Sequence, residues 1–393
     1  MERLRKRTLL FPIVLLALLI AYAYQDVSTS SQGGMGVMNR SMVHVLLFSI
    51  IGFLGFYVIS HHWEGYSLKT LLRPLICWEI YIFFSMWINA IPLNVAVIYP
   101  MFVLWWILSL ITFSTYTYRN YANFKQIRNL FLIMFGVWIW LSLVARAGMI
   151  AKGNVFGTSM FIYNLLLLTP TIFFIKGKKL RYILLLVAFF MCILSFKRGA
   201  IVTLPVMVLA YILTKGKIHN KQFKNIWLLI VAFGIFAVII NYIDGLYDGL
   251  LLSRFTSEEL ATGSGRDHLR EMALSAIDKR DTLTYFFGTG PGTTVSYLGT
   301  GAHNEWIEAM FCYGIVGICL YLWMVLSGAR FAYKLIKMRS EYAPQASMYV
   351  TYLIMCSMFS GFLFMHIAFY YWAGMGVLSG LVKHGKRKLN VAG

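Results

Sequence analysis

Apolar runs long enough to cross a lipid bilayer recur from one end of the chain to the other. A helix needs about 20 residues to span about 30 Å of hydrocarbon, and runs such as 42–60 and 127–150 have that length. Only 13% of the residues are charged, whereas roughly 25% are charged in a soluble domain. Because 59% of the 393 residues are hydrophobic, a soluble core of this size cannot enclose them all. The sequence therefore predicts an all-α polytopic membrane protein.

The length requirement gives about 12 candidate membrane spans. They run over 8–24, 42–60, 70–90, 94–114, 127–150, 155–176, 180–196, 199–214, 226–244, 305–326, 346–364 and 366–382. The first run could instead be a cleaved signal peptide, because Ala21-Tyr22-Ala23 resembles a small-x-small cleavage site. A signal anchor and a cleaved signal leave the following segment on the same side of the membrane, so the predicted topology is the same.

The basic residues form short clusters between the apolar runs, and these clusters set the predicted orientation. A net charge of +20 would suggest a nucleic-acid partner for a soluble protein, but no basic face free of lipid is available to bind one. Cytoplasmic connections carry an excess of Lys and Arg. With a cytoplasmic N-terminus, 25 of the 35 Lys and Arg residues fall on the cytoplasmic side. They lie in 3–7, 69–73, 119–128, 176–181, 215–224, 330–339 and 383–388. Both termini are therefore predicted to be cytoplasmic.

One connection on the opposite side is long, running from Asp244 to about Asn304. Ten of the 15 acidic residues lie between Asp244 and Glu308. Long loops without a function are uncommon, so this loop is the predicted place for polar structure and chemistry. The chain has no Cys-x-x-Cys pair and no Cys/His cluster, and we expect neither a metal nor another cofactor.

Ten basic residues are predicted on the outer side, against the orientation rule. They are Arg40, Arg146, Lys152, Lys197, Arg198, Arg254, Arg266, Arg270, Lys279 and Arg280. Lys197 and Arg198 stand in a very short turn between two apolar runs, at the level of the lipid headgroups. There they could bind a phosphate, or they could snorkel to anionic headgroups. The segment by itself does not decide between these alternatives.

A short amphipathic helix is predicted within the outer loop. Its apolar face is formed by residues at helical spacing, namely Leu269, Met272, Ala273, Ala276 and Ile277. Ser264 and Asp267 resemble a capping box at its start. Arg266 and Arg270 project from the first turns, where a helix N-terminus and guanidinium groups can bind an anion. Pairing with nearby acids is the alternative. We favour the anion site for Arg266 and the ion pair for Arg270.

Two further motifs precede the run 305–326. The segment Phe287-Gly288-Thr289-Gly290-Pro291-Gly292 is glycine-rich but lacks the Lys-Ser/Thr and the βαβ context of a nucleotide loop. It is therefore predicted to be a turn that re-aims the chain towards the membrane. Ala302-His303-Asn304 follows. A histidine here can act as a general base towards a hydroxyl, although a single histidine at an interface is often structural.

Five motifs occur in order over about 180–330. They are Lys197-Arg198-Gly199-Ala200, Ser264-Gly265-Arg266, Gly288-Thr289-Gly290, Ala302-His303-Asn304 and Gly314-Ile315-Val316-Gly317. Their order and spacing resemble the O-antigen ligase and O-antigen polymerase (Wzy-type) superfamily of bacterial membrane proteins. The resemblance implies a GT-C-like fold in the cytoplasmic (inner) membrane, with short helices in the large outer loop. It divides the chain into N-terminal spans (1–179), a catalytic region (180–330, with the loop 244–304), and C-terminal spans with a basic tail (331–393).

The resemblance also implies a metal-independent, inverting glycosyl transfer at the outer face of the membrane. The donor would be an oligosaccharide on undecaprenyl diphosphate. Arg198 and Arg266 match arginines that hold the diphosphate, and His303 matches the histidine that deprotonates the acceptor hydroxyl. Asp267, Glu305 and Glu308 could orient an arginine or His303. Further substrate-binding residues are expected close by, at Lys197, Arg254, Arg270, Asn304, Glu305 and Trp306.

The sequence does not decide which acceptor receives the glycan, and it leaves one different class of function as an alternative. A polymerase joins lipid-linked repeat units to each other, whereas a ligase delivers glycan to lipid A–core. We prefer the polymerase because surface-polysaccharide gene clusters encode many such diverse proteins, and a flippase and a chain-length regulator would then be partners. The other class is a lipid-linked sugar transporter. Transporters place ionisable groups near the midplane, whereas Glu79 is the only acid deep in a predicted span.

Overall fold

The described part of the chain is built from α-helices joined by turns and loops. A computed structural model describes residues 2–29, 40–61, 68–92, 97–153, 159–219, 234, 238, 241–242, 244–245, 266–359 and 368–392. These ranges contain no strand, so the predicted all-helical class is confirmed. The helices are α1 (Glu2–Thr29), α2 (Arg40–Ser60), α3 (Lys69–Ile88), α4 (Ile98–Arg119), α5 (Tyr121–Ala151), α6 (Ile162–Ile172), α7 (Lys178–Leu194), α8 (Arg198–His219), α9 (Arg266–Asp278), α10 (Thr282–Phe287), α11 (Thr293–Leu298), α12 (Glu305–Lys337), α13 (Ala343–Phe359) and α14 (Ala368–Ala392).

Seven of the described helices are long and apolar enough to cross a membrane. The segments are Leu10–Ser28, Met42–Ser60, Lys69–Ile88, Ile98–Arg119, Tyr121–Ala151, Arg198–His219 and Glu305–Lys337. Each of them overlaps a span predicted from hydropathy. The protein is therefore an integral membrane protein.

The predicted number of about 12 spans is not confirmed by these helices and stays a prediction. The α-helical part of α6 has 11 residues, where the hydropathy predicted 155–176. The apolar run continues beyond it as a tighter turn, because the amides of Phe173, Phe174 and Ile175 each donate to a carbonyl three residues earlier. Helices α7 and α13 have 17 residues each. The predicted span 226–244 lies largely outside the described residues.

Contacts divide the chain into two units that alternate along the sequence. Unit 1 consists of Met1–Leu68, Trp105–Leu204 and Phe369–Gly393, and unit 2 consists of Lys69–Leu104 and Pro205–Ala368. In unit 1, α1 packs against α2 and α5, and α6 packs against α5 and α7. In unit 2, α12 packs against α3 and α13 and also against the short helices α9, α10 and α11.

A single residue joins α4 to α5 in unit 1. The extended backbone of Asn120 ends one helix and starts the next, and its side-chain oxygen accepts a hydrogen bond from the amide of Ala122 at 3.0 Å. This is the N-cap role that asparagine favours. The side-chain amide of Asn123 then donates to the carbonyl of Tyr116 at 2.9 Å, so a carbonyl in the last turn of α4 accepts a hydrogen bond from α5.

Two glycines bring α14 close to α4 in unit 1. A Cβ added at Gly376 would lie 2.6 Å from the carbonyl oxygen of Leu110, and one at Gly380 would lie 2.5 Å from that of Ser114. The four-residue spacing puts both glycines on one face of α14. Small residues at this spacing let helix backbones approach closely in a membrane, where packing rather than exclusion of water holds helices together.

Helix α12 is broken near its start. Gly314 has φ 63° and ψ −162°, which lies far from helical values. The part after the break, from Ile315 to Lys337, is about 34 Å long at 1.5 Å per residue and is by itself long enough to span the hydrocarbon core. The shorter part before the break, from Glu305 to Tyr313, is therefore not needed to cross the membrane.

Candidate functional site

The break in α12 leaves backbone carbonyls that are satisfied from outside the helix. The carbonyl of Phe311 accepts hydrogen bonds from the amide and the hydroxyl of Thr289, at 3.3 and 3.0 Å. The carbonyl of Cys312 accepts from the amide of Gly290 at 2.8 Å. The hydroxyl of Tyr81, on α3, donates to the carbonyl of Tyr313 at 2.8 Å. Hydrogen bonds from α3 and from the glycine-rich turn thus stabilise the break within unit 2.

Glycine is required on both sides of this contact. Gly288 has φ 74° and ψ −174°, and with Gly314 it lies in a backbone region that is essentially restricted to glycine. A Cβ at Gly288 would lie 2.3 Å from the carbonyl oxygen of Cys312, and a Cβ at Gly314 would lie 2.4 Å from that of Phe286. The glycine-rich turn predicted from the sequence therefore seats α10 against the broken helix.

Arg280 is one of the basic residues predicted on the outer side, and its contacts give it a structural role. Its guanidinium donates to the carbonyls of Met310 and Phe311, at 3.3 and 2.8 Å, and lies 4.2 Å from the centre of the Phe311 ring. Burial lowers the pKa of this guanidinium from its ordinary value. The next residue, Asp281, is the N-cap of α10, and hydrogen bonds from Thr284 and Leu283 hold the pKa of its carboxyl below the usual value.

Replacing Arg280 by methionine is expected to destabilise unit 2. The change keeps much of the apolar stem but removes both donors to the carbonyls of α12, and hydrogen bonds from a charged group contribute about 1.5–3 kcal/mol. We expect a lower thermal unfolding midpoint in detergent micelles. Lys279→Met is the matched control, because Lys279 is the exposed neighbour and its loss should leave the midpoint unchanged. Equal midpoints for the two variants would contradict the capping role of Arg280.

His303 lies in a short segment that is fixed on both sides. The amide of the buried Ala302 donates to the carboxylate of Glu308. The side-chain oxygen of Asn304 accepts from the amides of Trp306 and Ile307, at 3.0 and 3.2 Å, and so caps α12. Between these anchors His303 has a left-handed backbone with φ 55°. This conformation is uncommon for residues other than glycine, although histidine tolerates it better than most.

The three residues that follow His303 have defined structural positions. Asn304 is the N-cap described above, Glu305 is fully buried, and the ring of Trp306 lies 5.0 Å from that of Tyr321 in an edge-on contact. These contacts help to place His303 at the start of α12. Their predicted role in binding substrate stays a prediction.

The arginines of the outer loop are described to different extents. Helix α9 begins at Arg266, as the amphipathic pattern predicts, but only the backbone of that residue is described. Arg270 lies 3.2 Å from the carboxylate of Asp267, which is the ion pair that the sequence favours for it. Arg254 and the proposed capping residue Ser264 lie outside the described residues.

In unit 1, the turn before α8 carries Lys197 and Arg198. Lys197 is only 8% exposed, and Arg198 is the first residue of the helix. The hydroxyl of Ser195 accepts the amide of Lys197 at 3.2 Å, and the residue between them, Phe196, has φ 51°. The turn is therefore tightly folded, with the side chain of Lys197 held inside the protein rather than extended along the surface.

A further basic residue, Arg146, contacts this turn in the structure. Arg146 lies on α5 and is 7% exposed, and its guanidinium carbon is 4.5 Å from the centre of the Phe196 ring. The sequence places Arg146 on the outer side but does not connect it with the turn at Phe196, because the two residues are far apart along the chain. One feature of the sequence does point to Arg146 as unusual. It is the only charged residue between Arg128 and Lys152, in an otherwise apolar helix.

A comparison with protein families finds a match for the part of the chain that carries these features. Residues 183–322 match the family model described as O-Antigen ligase (Wzy_C). The matched stretch contains the turn with Lys197 and Arg198, helix α9, the His303 segment and the break in α12. This part of the chain is therefore similar to the O-antigen ligase family, and the resemblance seen in the motifs is confirmed. Comparison with curated proteins gives no match.

Proposed function

We propose that the protein is a membrane glycosyltransferase that polymerises undecaprenyl-diphosphate-linked repeat units into a surface polysaccharide. The observation that carries the proposal is the O-antigen ligase-family domain at residues 183–322, since members of that family transfer glycans. The position of His303 supports it, because a left-handed residue between two anchored neighbours is typical of strain kept at a functional site. The reaction takes place at the outer face of the cytoplasmic membrane.

In the proposed reaction the sugar moves from its lipid diphosphate to an acceptor hydroxyl. His303 takes the proton of that hydroxyl, and the oxygen attacks the anomeric carbon from the face opposite the diphosphate. The bond between the anomeric carbon and the diphosphate oxygen breaks, and undecaprenyl diphosphate leaves with inversion at the anomeric carbon. A diphosphate is already a good leaving group, so stabilising its charge contributes more than protonating it, and no metal takes part.

Arg198 and Arg266 are the proposed ligands of the diphosphate, with Lys197, Arg254 and Arg270 as further substrate-binding residues. A guanidinium group presents planar paired donors that match phosphate oxygens. Asn304, Glu305 and Trp306 are proposed to line the acceptor side. The contact of Arg146 with the Phe196 ring and the burial of the adjacent Lys197 support the first assignment, since they concentrate positive charge at the turn that carries Arg198.

Replacing Arg146 by glutamine is expected to weaken binding of the lipid-linked donor. The change removes one of the cations around Phe196, and we expect KM for the donor to rise about tenfold, as for the loss of one charge-assisted hydrogen bond. Arg146→Lys, which keeps the charge, should raise KM less. Lys152→Gln is the control, because Lys152 is an exposed cation just beyond the same helix. An unchanged KM in Arg146→Gln would remove Arg146 from the donor site.

Deleting the gene in the cells that produce the protein separates the candidate functions. Loss of a polymerase leaves single repeat units where long chains are normally made. Loss of a ligase, which is the alternative, leaves long chains on undecaprenyl diphosphate that never reach lipid A–core. Loss of a flippase leaves repeat units at the cytoplasmic face, and this outcome would overturn the transferase proposal. A flippase and a chain-length regulator are the proposed protein partners of a polymerase.

A further inference from the structure

Glu308 is a buried acid that contacts the backbone just before His303. It lies in the first turn of α12 and is 5% exposed. Its carboxylate accepts hydrogen bonds from the amide of Ala302 and from the hydroxyl of Thr294, on α11. A Cβ added at Gly301 would lie 2.6 Å from the same carboxylate oxygen. The carboxylate of Glu308 thus lies directly against the backbone of residues 301 and 302.

This contact closes a loop around His303. The amide of Glu308 donates to the carbonyl of Asn304 at 2.9 Å, as expected in the first turn of a helix, while its carboxylate holds the amide of Ala302. Residues on both sides of His303 are therefore tied to one residue of α12. The left-handed conformation of His303 costs on the order of 1–3 kcal/mol and persists only where the surroundings impose it. Glu308 and the Asn304 cap supply that constraint.

We infer that Glu308 is a positioning residue, which fixes the backbone at Ala302 and so sets the direction of the His303 imidazole. Its effect on catalysis rests on the proposed function, whereas its effect on the backbone does not. The part of Glu308 that matters is the hydrogen-bond acceptor rather than the negative charge, because the contact is made to a backbone amide. Thr294 supports it by donating to the same carboxylate.

Three substitutions separate the acceptor from the charge. Glu308→Gln keeps an acceptor oxygen at the same distance along the side chain and removes the charge. Glu308→Asp keeps the charge but shortens the reach by one methylene. Glu308→Leu fills a similar volume and removes the acceptor. Glu271→Leu, at an exposed acid of α9, is the matched control and should behave like the unmodified protein.

The first measurement is glycan transfer by purified, reconstituted protein. We expect kcat to fall at least about tenfold in the Leu and Asp variants with little change in KM for the lipid-linked donor, since a displaced general base lowers the rate without affecting donor binding. The Gln variant should keep at least half of the wild-type kcat and the same pH profile. An inactive Gln variant, or a shifted pH profile in it, would show that the charge acts on the reaction and would overturn the inference.

The second measurement does not depend on activity. Hydrogen–deuterium exchange of a peptide containing residues 300–306 reports whether the amide of Ala302 is protected. We expect faster exchange in the Leu variant than in the wild type and in the Gln variant, with unchanged exchange in α13. Equal exchange in all variants would overturn the inference. If the exchange pattern appears as expected but the wild type transfers no glycan, the positioning stands and the proposed function fails. Faster exchange throughout unit 2 in the Leu variant would mean general unfolding and would count against a specific role.

Discussion

Replacing Gly314 by alanine is expected to prevent unit 2 from folding to its normal structure. The added Cβ would lie 2.4 Å from the carbonyl oxygen of Phe286 and 2.7 Å from the amide of Gly288, so rigid backbone blocks it. The φ and ψ values of Gly314 are also ones that residues with a side chain essentially never adopt. Backbone strain and overpacking together should cost at least about 3 kcal/mol. We expect aggregation on detergent extraction, or a large drop in the thermal unfolding midpoint.

The same reasoning applies to Gly288, whose Cβ would lie 2.3 Å from the carbonyl oxygen of Cys312. Gly136→Ala is the matched control. Nothing lies within 4 Å of a Cβ at that position in α5, and alanine is favoured over glycine inside a helix by about 1 kcal/mol. The control should be extracted and unfold at least as well as the wild type. A Gly314→Ala protein with a normal unfolding midpoint would contradict the packing of the glycine-rich turn on α12.

Replacing His303 by asparagine is expected to lower glycan transfer by at least about a hundredfold while the protein stays folded. A positioned general base contributes roughly 10²–10⁴-fold to a rate, and an asparagine side chain cannot take up a proton. Asparagine tolerates a positive φ better than most residues, so it suits the left-handed backbone at this position. The measurement is kcat of the reconstituted protein, with the unfolding midpoint as the test of folding.

His268→Asn provides the control for the loss of a histidine. His268 lies on α9 and is exposed, and its replacement should leave kcat within a factor of two of the wild type. If both histidine variants keep full activity, His303 is not the general base. If both lose activity equally, the effect is not specific to His303, and the proposed mechanism again fails.

Elements that depend on local sequence could be predicted well. The helix α2 (Arg40–Ser60) closely matches the predicted span 42–60, because an uninterrupted apolar run is sufficient to define a membrane helix. The amphipathic helix α9 was also predicted from its periodic apolar face, which is again a local property. The motifs of the O-antigen ligase family could be recognised for the same reason, since each is a short run of residues in a fixed order.

The contacts within the site could not be predicted, because they join residues far apart in sequence. The predicted span 305–326 contains a break at Gly314, and the groups that make the break possible come from α3 and from the glycine-rich turn. The sequence predicts Arg280 only as a basic residue on the outer side of the membrane. Its partners are the carbonyls of Met310 and Phe311, which can accept hydrogen bonds from outside the helix because α12 is broken. The proximity of Arg146 to Phe196 likewise depends on how helices pack.

The acceptor side of the site also depends on contacts that a sequence pattern cannot reveal. Asn304, Glu305 and Trp306 were predicted as substrate-binding residues from their position beside His303. The structure shows that the Asn304 side chain caps α12 and that Glu305 is buried. Glu308 could be noted as a possible orienter, but its contact with Ala302 follows from the turn of the chain at His303.

The central claim, glycosidic bond formation from a lipid-diphosphate donor, is tested most directly with purified protein in liposomes. Undecaprenyl-diphosphate-linked repeat units are supplied in the presence of EDTA, and released undecaprenyl diphosphate is counted together with new glycosidic bonds. The account predicts one lipid diphosphate released for each bond formed, without added metal, and loss of both products in His303→Asn. Movement of repeat units across the bilayer with no bond formed, in the wild type, would contradict it.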